Sequence, residues 1–423
     1  MTTDARADSL ARRVRRVGGS VIRRLGLLPA GMPDQRGDDP ALVAAGPLTE
    51  QVLVYFGSTP ESIYQLEQWL PALDALHATH PVLVVTADSR SAKAVRELTH
   101  LRVVTVSRYA TFDEMLSGSA TRLALYVNHH AQNFALLRFA GLTHVSLLHG
   151  DSDKVVSVSN QAKAYDYTFV AGRAAVDRLA QHLRLFDAEE RCVVIGRPQA
   201  VQPQTRAPRP DGRRTVLYAP TWEGAERTAA YGSVATHGTA LARSVLADPG
   251  LRLVYRPHPL TGVRRAEYGG ADAAVRRLVE AAGAPHAVSA GDRTLEQDFA
   301  DADLLVCDVS AVAVDWLATG RPLVLTDVAP SSRGPAHGAL ASVARSVTSA
   351  GAPLVAELVR SELDHPRPDA WAEVAAYYLG GTSGPDALGR FLRACDDIVA
   401  GRRPPVAAGA GAPVSEQQDA TAR

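Results

Sequence analysis

Several short segments of the sequence carry polar side chains directly after apolar runs. The segment HVSLLHGDSDK (144–154) contains His149 and Lys154. An imidazole with its ordinary pKa of about 6.5 is suited to act as a general base near neutral pH. Lys154 is one of three lysines among 45 basic residues, and a compact cation of this kind suits a phosphate. The alternative is that His149 is a packed histidine and that the acidic residues belong to a turn.

Two further segments end in polar residues that prolines hold in place. The segment TVLYAPTWEG (215–224) contains Thr221 and Trp222, and RLVYRPHPLTG (252–262) contains Arg256 and His258. A guanidinium and an imidazole together would stabilise the charge that builds on a phosphoryl group. The alternative for His258 is ordinary packing within a loop.

The fourth segment, DADLLVCDVSAVAVDWLATGRPLVL (301–325), predicts a strand, a turn with Asp308 and Ser310, and a helix. Serine is a favoured N-cap residue, and the free N–H groups at a helix start bind anions without a metal ion. We expect Asp308 and Ser310 to lie on the ligand side of this turn. The alternative is an ordinary N-cap without a ligand.

The segments that carry these residues belong to a regular alternation of strands and helices. Continuous Val- and Leu-rich runs that alternate with helical stretches such as 63–76 predict parallel sheets covered on both faces. We predict strands over 51–56, 81–85, 102–106, 123–127, 144–148, 167–171 and 192–195, and then over 215–219, 251–255, 287–290, 303–307 and 322–326. The predicted fold is α/β, with two Rossmann-like, doubly wound domains that face a cleft.

Length and composition favour two domains flanked by less regular ends. The chain has 423 residues, about twice what one hydrophobic core supports. We predict an N-terminal domain over 48–200 and a C-terminal domain over 213–397, joined by a Pro- and Arg-rich linker. The tail 401–423 has almost no large apolar residue and is predicted to be disordered.

Charge and motif content exclude several classes of protein. The 45 basic and 45 acidic residues cancel, so nothing indicates a nucleic-acid partner. Three separated cysteines without Cys-x-x-Cys spacing argue against a disulfide framework or a structural zinc site. The sequence has no phosphate-binding GxxxxGK[ST], no GxGxxG before a helix and no HExxH motif. We therefore expect no metal and no cofactor.

The first 30 residues form a basic amphipathic segment. Apolar residues recur at steps of three and four between Leu10 and Leu28, with six arginines between them. Such a helix would lie on an anionic lipid surface; the alternative is a frayed tail, since Gly18 and Gly19 interrupt it. No apolar run reaches the roughly 18 residues needed to span a bilayer. We expect a cytoplasmic protein, peripheral on the inner face of the plasma membrane.

Taken in order, the four segments resemble those of the CDP-glycerol glycerophosphotransferase family, the teichoic-acid primases and polymerases of bacteria. The family pattern WHGTPLK resembles LHGDSDK, with His149, Gly150 and Lys154 retained. The pattern YAPTWR resembles YAPTWEG, R-x-HP matches Arg256 to Pro259, and D-x-S-S matches Asp308 and Ser310. The sequence departs from the family at Glu223, which replaces a basic residue, at Ala311, which replaces the second serine, and in the more acidic HGDSDK.

The resemblance implies a GT-B-like pair of Rossmann-type domains, with a CDP-alcohol in the C-terminal domain and the acceptor in the N-terminal one. The implied reaction transfers a glycerophosphate-like unit to a hydroxyl of a lipid-linked glycan or polymer and releases CMP. We assign His149 and His258 as catalytic residues, with His149 as general base. The donor-binding residues are Lys154, Thr221, Trp222, Arg256, Asp308 and Ser310.

Two alternatives remain open at this stage. One is a sugar-nucleotide glycosyltransferase or epimerase with the same architecture, since a fold does not fix a function. The other is a non-catalytic relative that serves as a scaffold for envelope-polymer assembly.

Overall fold

A computed structural model describes residues 33–34, 36–148, 150–199, 211–224, 230–289, 293–328, 338–380 and 385–407. The described residues form two compact units, Met1–His149 with Cys395–Arg402 and Gly150–Ala394 with Arg403–Arg423. The predicted domain boundaries, 48–200 and 213–397, stay predictions. The basic segment 1–30 lies outside the described residues.

The first unit is built on parallel strands that are almost entirely buried. Its strands are β1 (Val52–Phe56), β2 (Val82–Thr86), β3 (Arg102–Thr105), β4 (Leu123–Tyr126) and β5 (Thr143–Ser146). Its helices are α1 (Asp39–Ala45), α2 (Tyr64–Glu67), α3 (Leu70–His77), α4 (Ser89–Leu98), α5 (Tyr109–Leu116) and α6 (Phe134–Leu137). Every residue of β1, β2 and β4 is buried, which explains why these runs are continuously apolar.

The second unit contains the remaining strands. They are β6 (Tyr167–Val170), β7 (Cys192–Val194), β8 (Arg214–Ala219), β9 (Leu251–Tyr255), β10 (Ala287–Val288), β11 (Leu304–Cys307), β12 (Leu323–Asp327) and β13 (Arg345–Thr348). Its α-helices begin with α7 (Arg173–His182), α8 (Ala188–Arg191), α9 (Thr239–Leu246), α10 (Ala266–Ala282), α11 (Leu295–Asp301) and α12 (Ala311–Trp316). They are followed by α13 (Ala339–Val343), α14 (Val355–Asp364), α15 (Pro368–Leu379) and α16 (Pro385–Val399), of which the part from Cys395 onward belongs to the first unit.

Both sheets are wound in the same way. In the first unit the parallel strands run in the order β3-β2-β1-β4-β5. In the second unit a six-stranded parallel sheet has the order β10-β9-β8-β11-β12-β13. The chain therefore reverses its direction of winding between β1 and β4 in one sheet and between β8 and β11 in the other. In open α/β sheets, ligands bind beyond the carboxyl ends of the strands at such a switch point.

The core of the second unit confirms a sheet covered on both faces. Leu217 and Ala219 of β8 pack in one hydrophobic cluster, whereas Val216 and Tyr218 pack in the other. Alternate residues of a strand point to opposite faces, so the two clusters lie on the two sides of this sheet. Burial of this kind stabilises a core by about 25 cal/mol for each Å² of apolar surface removed from water.

The twelve predicted strands are all present, with ends that differ by no more than two residues. The sequence analysis missed β13, because three of its four residues, RSVT, are polar and exposed. The helix predicted over 63–76 is divided into α2 and α3. Pro71 lies in the first turn of α3, and a proline disfavours helical continuation through the residues before it.

The ends of the chain are described only in part. Residues 401–407 are described, and Ala407 is buried against the cluster around Ala162 and Leu179. The rest of the predicted tail, 408–423, lies outside the described residues. Among the helices that the structure describes, none has both the length and the apolar character needed to cross a membrane.

Candidate functional site

The candidate site lies at the carboxyl edge of the second sheet, around the switch point between β8 and β11. Thr221 follows β8, and Asp308 and Ser310 follow β11. Lys154 reaches the same place from the segment that precedes β6, because its Nζ donates to Thr221 Oγ1 at 3.0 Å. The structure therefore brings together residues from three of the four segments that the sequence analysis singled out.

Asp308 connects the loop after β8 to the ends of β11 and β12 through hydrogen bonds. Its carboxylate is fully buried, and Oδ2 accepts hydrogen bonds from the backbone N–H of Thr221 at 2.6 Å and of Ser233 at 3.1 Å. The hydroxyl of Thr326, in β12, donates to Oδ1. Burial raises the pKa of Asp308, although the groups that donate to it act in the opposite direction. The prediction that Asp308 faces a ligand is thus replaced by a different geometry, in which its oxygens bond to the protein itself.

Lys154 is the cation at the centre of the site. Burial lowers the pKa of its ammonium group to about 8, and the nearby Asp308 carboxylate partly offsets this shift. The ammonium also lies 5.7 Å from the centre of the Tyr231 ring, within the range of a cation–π contact. A partly desolvated ammonium held in this way would bind a phosphate oxygen strongly.

A close contact explains why Gly150, in the segment HGDSDK, is a glycine. A Cβ added at Gly150 would lie 2.5 Å from the Cβ of Ala311, at the start of α12. The segment that leads to Lys154 therefore packs directly on the turn after β11. Ala311, where the family pattern has a second serine, is part of this contact.

The loops after β8 and β9 are joined by a stacked ring pair and a buried carboxylate. The rings of Trp222 and His258 are stacked, with centroids 6.2 Å apart and an interplanar angle of 19°. His258 Nδ1 accepts a hydrogen bond from Leu260 N at 3.1 Å, so a neutral ring carries its proton on Nε2. Trp222 thus fixes the plane of His258, and Leu260 fixes its orientation.

Glu223 holds the second of these loops in place. Its side chain, 1% exposed, accepts from the backbone N–H of Gly262 at 2.9 Å, of Arg264 at 2.9 Å and of Arg265 at 3.1 Å. Burial tends to raise the pKa of Glu223, but these backbone donors outweigh it and lower the pKa. A basic residue, as in the family pattern, has no acceptor for these three N–H groups. Glu223 is therefore a structural residue of this chain.

Arg256 is partly committed to the protein. Its Nη1 donates to Asp298 Oδ2 at 2.6 Å, to Ser289 Oγ at 3.0 Å and to the carbonyl of Arg293 at 3.1 Å. Asp298 is fully buried, whereas the Arg256 side chain is 27% exposed. This ion pair fixes one end of the guanidinium beyond β9.

Ser310 occupies the N-cap position of α12, but its hydroxyl does not cap the helix. The predicted capping bond is therefore absent. Ser310 Oγ is buried and has no hydrogen-bond partner among the described residues. It lines a small cavity together with Asp153, Val309, Val314, Leu325, Leu340 and Ala341. A buried hydroxyl without a partner is costly, so this atom is available to a ligand.

The two additional acidic residues of HGDSDK pair within the second unit. Arg178 donates to Asp151 Oδ1 and to Asp153 Oδ1, each at 2.6 Å. Tyr378, in α15, donates to Asp153 Oδ2. Burial raises the pKa of Asp151, and Arg178 opposes this rise. The acidic character of the segment is thus balanced by Arg178, a residue that the sequence analysis did not identify.

One predicted site residue remains to be placed. His149 lies outside the described residues. The residue before it, Leu148, has a φ of 54°, which is uncommon for a residue other than glycine, and its carbonyl accepts from Trp69 Nε1 at 2.8 Å. Within the described part of the chain, no group of three His, Cys, Asp or Glu residues is arranged to hold a metal ion.

Two members of the site were missed because no sequence pattern marks them. Ser233 donates its backbone N–H to Asp308, and its hydroxyl bonds to the Tyr218 hydroxyl at 2.9 Å. Tyr231 faces Lys154. Neither residue directly follows a predicted strand, so a search for polar residues after apolar runs does not find them.

Comparison with known proteins gives a family and a fold. The sequence model of the family described as CDP-glycerol:poly(glycerophosphate) glycerophosphotransferase matches residues 92–328, more than half of the chain. Among curated proteins, no sequence matches the chain.

Three solved structures illustrate the likeness in fold. The wall teichoic acid polymerase TagF, soaked with CDPG, is 11% identical over 95% of this chain and 99% of its own, with a TM-score of 0.56. A glycosyltransferase from Rickettsia africae is 11% identical over 83% of this chain and 99% of its own, with a TM-score of 0.52. MnaA of S. aureus with UDP is 12% identical over 84% and 99%, with a TM-score of 0.52. These likenesses confirm an α/β fold with two parallel sheets, similar to GT-B glycosyltransferases.

Proposed function

Because this chain belongs to the CDP-glycerol:poly(glycerophosphate) glycerophosphotransferase family, we propose that it transfers a polyol phosphate unit from a CDP-activated donor to a hydroxyl of a membrane-linked cell-envelope glycan or teichoic-acid-like polymer. The resemblance seen in the strand-end motifs is confirmed at the level of the family, and the chain is an enzyme of this type. The donor's polyol, the acceptor and the release of CMP are part of the proposal.

The observation that carries the proposal is the assembly around Asp308. One buried carboxylate orders the loop after β8, the turn after β11 and, through Thr221, the position of the Lys154 ammonium. This arrangement presents a cation and the Ser310 hydroxyl at the switch point of a doubly wound sheet. Such a site suits the pyrophosphate of a nucleotide-activated donor.

In the proposed reaction, the acceptor hydroxyl oxygen attacks the β-phosphorus of the donor. The new bond joins this oxygen to the β-phosphorus, and the bond from the β-phosphorus to the bridging oxygen breaks, so that CMP leaves with that oxygen. His149 takes the proton of the acceptor hydroxyl as general base. Lys154, Arg256, His258 and Ser310 bind the phosphate oxygens, while Thr221, Trp222 and Asp308 position these groups.

The nature of the donor is tested by binding. We expect CDP-glycerol or CDP-ribitol to raise the melting temperature of the protein, because a ligand that binds only the folded state stabilises it. Stabilisation by UDP-sugars alone would contradict the CDP donor and favour the sugar-nucleotide alternative. Absence of stabilisation by any nucleotide would favour the scaffold alternative.

The protonation of Lys154 predicts how donor use depends on pH. An ammonium with a pKa of about 8 loses its charge above that pH and then attracts phosphate weakly. We expect kcat/KM for the donor to fall above pH 8, approaching about tenfold per pH unit, because this parameter reports ionisations of the free enzyme. Lys154→Arg should remove the decline up to about pH 10, since arginine stays charged. The exposed Lys93→Arg serves as control; an unchanged decline in Lys154→Arg would exclude Lys154 as the titrating group.

We further propose that residues 1–30 bring the enzyme to an anionic membrane surface. Each arginine near anionic headgroups contributes up to about 1 kcal/mol, and the apolar stripe adds burial at the interface. Deletion of residues 1–30 should abolish sedimentation with anionic liposomes and leave transfer to a soluble acceptor intact. Undiminished sedimentation of the truncated protein would show that the membrane contact lies elsewhere.

A further inference from the structure

The switch point of the first sheet also gathers polar residues, although the site described above uses none of them. Ser58 follows β1, and Asn128 follows β4, so both lie at the carboxyl ends of the strands between which the winding reverses. Asn128 Nδ2 donates to Ser58 Oγ at 3.0 Å and thereby joins the two strand ends. The bond corresponds in position to the one from Thr221 to Asp308 in the second sheet.

The side-chain amide of Asn128 forms hydrogen bonds through its nitrogen and not through its oxygen. Nδ2 also donates to Gln65 Oε1 at 2.6 Å, and the backbone carbonyl of Asn128 accepts from Asn133 Nδ2 at 2.7 Å. The side-chain oxygen, Oδ1, has no partner among the described residues, although the residue is only 4% exposed. A buried amide oxygen without a partner is unfavourable, and a hydrogen bond from a ligand hydroxyl would satisfy it.

The side chains that bond to Asn128, those of Ser58, Gln65 and Asn133, are uncharged. Burial lowers the pKa of His129 to about 4 and also lowers the pKa of His130, so both imidazoles are neutral at pH 7. His130 lies against the end of β1, since a Cβ added at Gly57 would be 3.3 Å from its Nδ1. A neutral set of amide, hydroxyl and imidazole groups offers both donors and acceptors. This chemistry suits a ligand with several hydroxyls, each of which can donate and accept.

We propose that this cluster, defined by Ser58, Gln65, Asn128 and His130, binds the hydroxyl-bearing end of the acceptor. The assignment to the acceptor rests on the proposed function, whereas the affinity for a polyol does not. β5 is the neighbour of β4, and His149, the proposed general base, follows β5 by three residues in the sequence. Asn128 Oδ1 accepts a hydrogen bond from an acceptor hydroxyl and orients the attacking end.

The kinetic test separates the acceptor from the donor. In Asn128→Ala we expect KM for the acceptor to rise by about tenfold, the value of one hydrogen bond to a buried partner, with KM for the CDP donor within about twofold. The exposed Asn160→Ala serves as a matched control and should leave both unchanged. An unchanged acceptor KM in a folded Asn128→Ala, or an equal rise of the donor KM, would overturn the proposal. Circular dichroism and the melting temperature establish that the variant is folded.

Binding of a free polyol tests the inference even if the protein has no transferase activity. Free glycerol, followed by ligand-observed NMR, should bind the intact protein and Asn160→Ala and should lose binding in Asn128→Ala. Binding should persist when CDP-glycerol is present at saturation. Equal glycerol binding by both variants would overturn the polyol site, and displacement of glycerol by CDP-glycerol would overturn its assignment to the acceptor.

Discussion

Replacement of His149 by alanine is expected to lower turnover by on the order of 100- to 10,000-fold, which is the usual loss when a general base is removed. The acceptor hydroxyl is a poor nucleophile while it keeps its proton. The Arg256 guanidinium and the charged Lys154 ammonium are donors only, and the neutral ring of His258 has its acceptor nitrogen, Nδ1, bonded to Leu260 N, so none of these groups takes that proton. Donor binding should change little, because the phosphate contacts are made by other residues. The loss should therefore appear in kcat rather than in the affinity for CDP-glycerol.

The measurement is single-turnover transfer from CDP-glycerol with a soluble acceptor, together with donor binding by calorimetry. His182→Ala, an exposed histidine on α7, is the control and should behave as the unmodified protein. Turnover of His149→Ala close to that of the unmodified enzyme would exclude His149 as the base.

The second large effect is expected at Asp308, where replacement by alanine should lower the free energy of unfolding much more than replacement by asparagine. Asp308→Ala leaves the buried N–H groups of Thr221 and Ser233 without an acceptor. At about 1–3 kcal/mol for each lost partner, the free energy of unfolding should fall by about 2–6 kcal/mol. In Asp308→Asn the amide oxygen can accept from both N–H groups, and the amide nitrogen can donate to the Thr326 hydroxyl, so the loss should stay within about 1 kcal/mol.

Asp308→Asn also has an electrostatic consequence. The carboxylate raises the pKa of Lys154, so its removal should lower that pKa further. The decline of kcat/KM with pH should then begin at lower pH than in the unmodified enzyme. Urea denaturation gives the stability and a pH–rate profile gives the shift, with the exposed Asp327→Ala as control. Equal stability of Asp308→Ala and the unmodified protein would contradict the role assigned to Asp308.

The strands and the polar residues after them could be predicted because both follow from regular patterns. A strand buried on both faces must be continuously apolar, so runs such as VLVYF and LLVC mark β1 and β11. Parallel strands end at one edge of the sheet, which is why Thr221 and Asp308 could be expected to meet although 87 residues separate them.

The roles within the site could not be predicted from residue types alone. Asp308 follows a strand like a ligand-binding residue, but its bonds to Thr221, Ser233 and Thr326 depend on tertiary structure. Glu223 departs from the family pattern, and its purpose emerges only from the three N–H groups that converge on it. The hydroxyl of Ser310 has the right position for a cap, yet its orientation is decided by packing.

The same limit explains why the cluster around Asn128 escaped the sequence analysis. The segment YVNHHAQN ends a strand as the other segments do, but its asparagines and histidines have no charge to draw attention to phosphate chemistry. The strand order β3-β2-β1-β4-β5 is what identifies the ends of β1 and β4 as a switch point. Sequence order alone does not contain that information.

The central claim, that this chain transfers a polyol phosphate from a CDP-activated donor, is tested most directly by mass analysis of the products. The intact protein is incubated with CDP-glycerol, CDP-ribitol or UDP-sugars and a lipid-linked acceptor. We predict CMP together with an acceptor that has gained one or more polyol phosphate units from a CDP donor. An acceptor that gains a sugar from a UDP donor, with CDP donors left intact, would contradict the account.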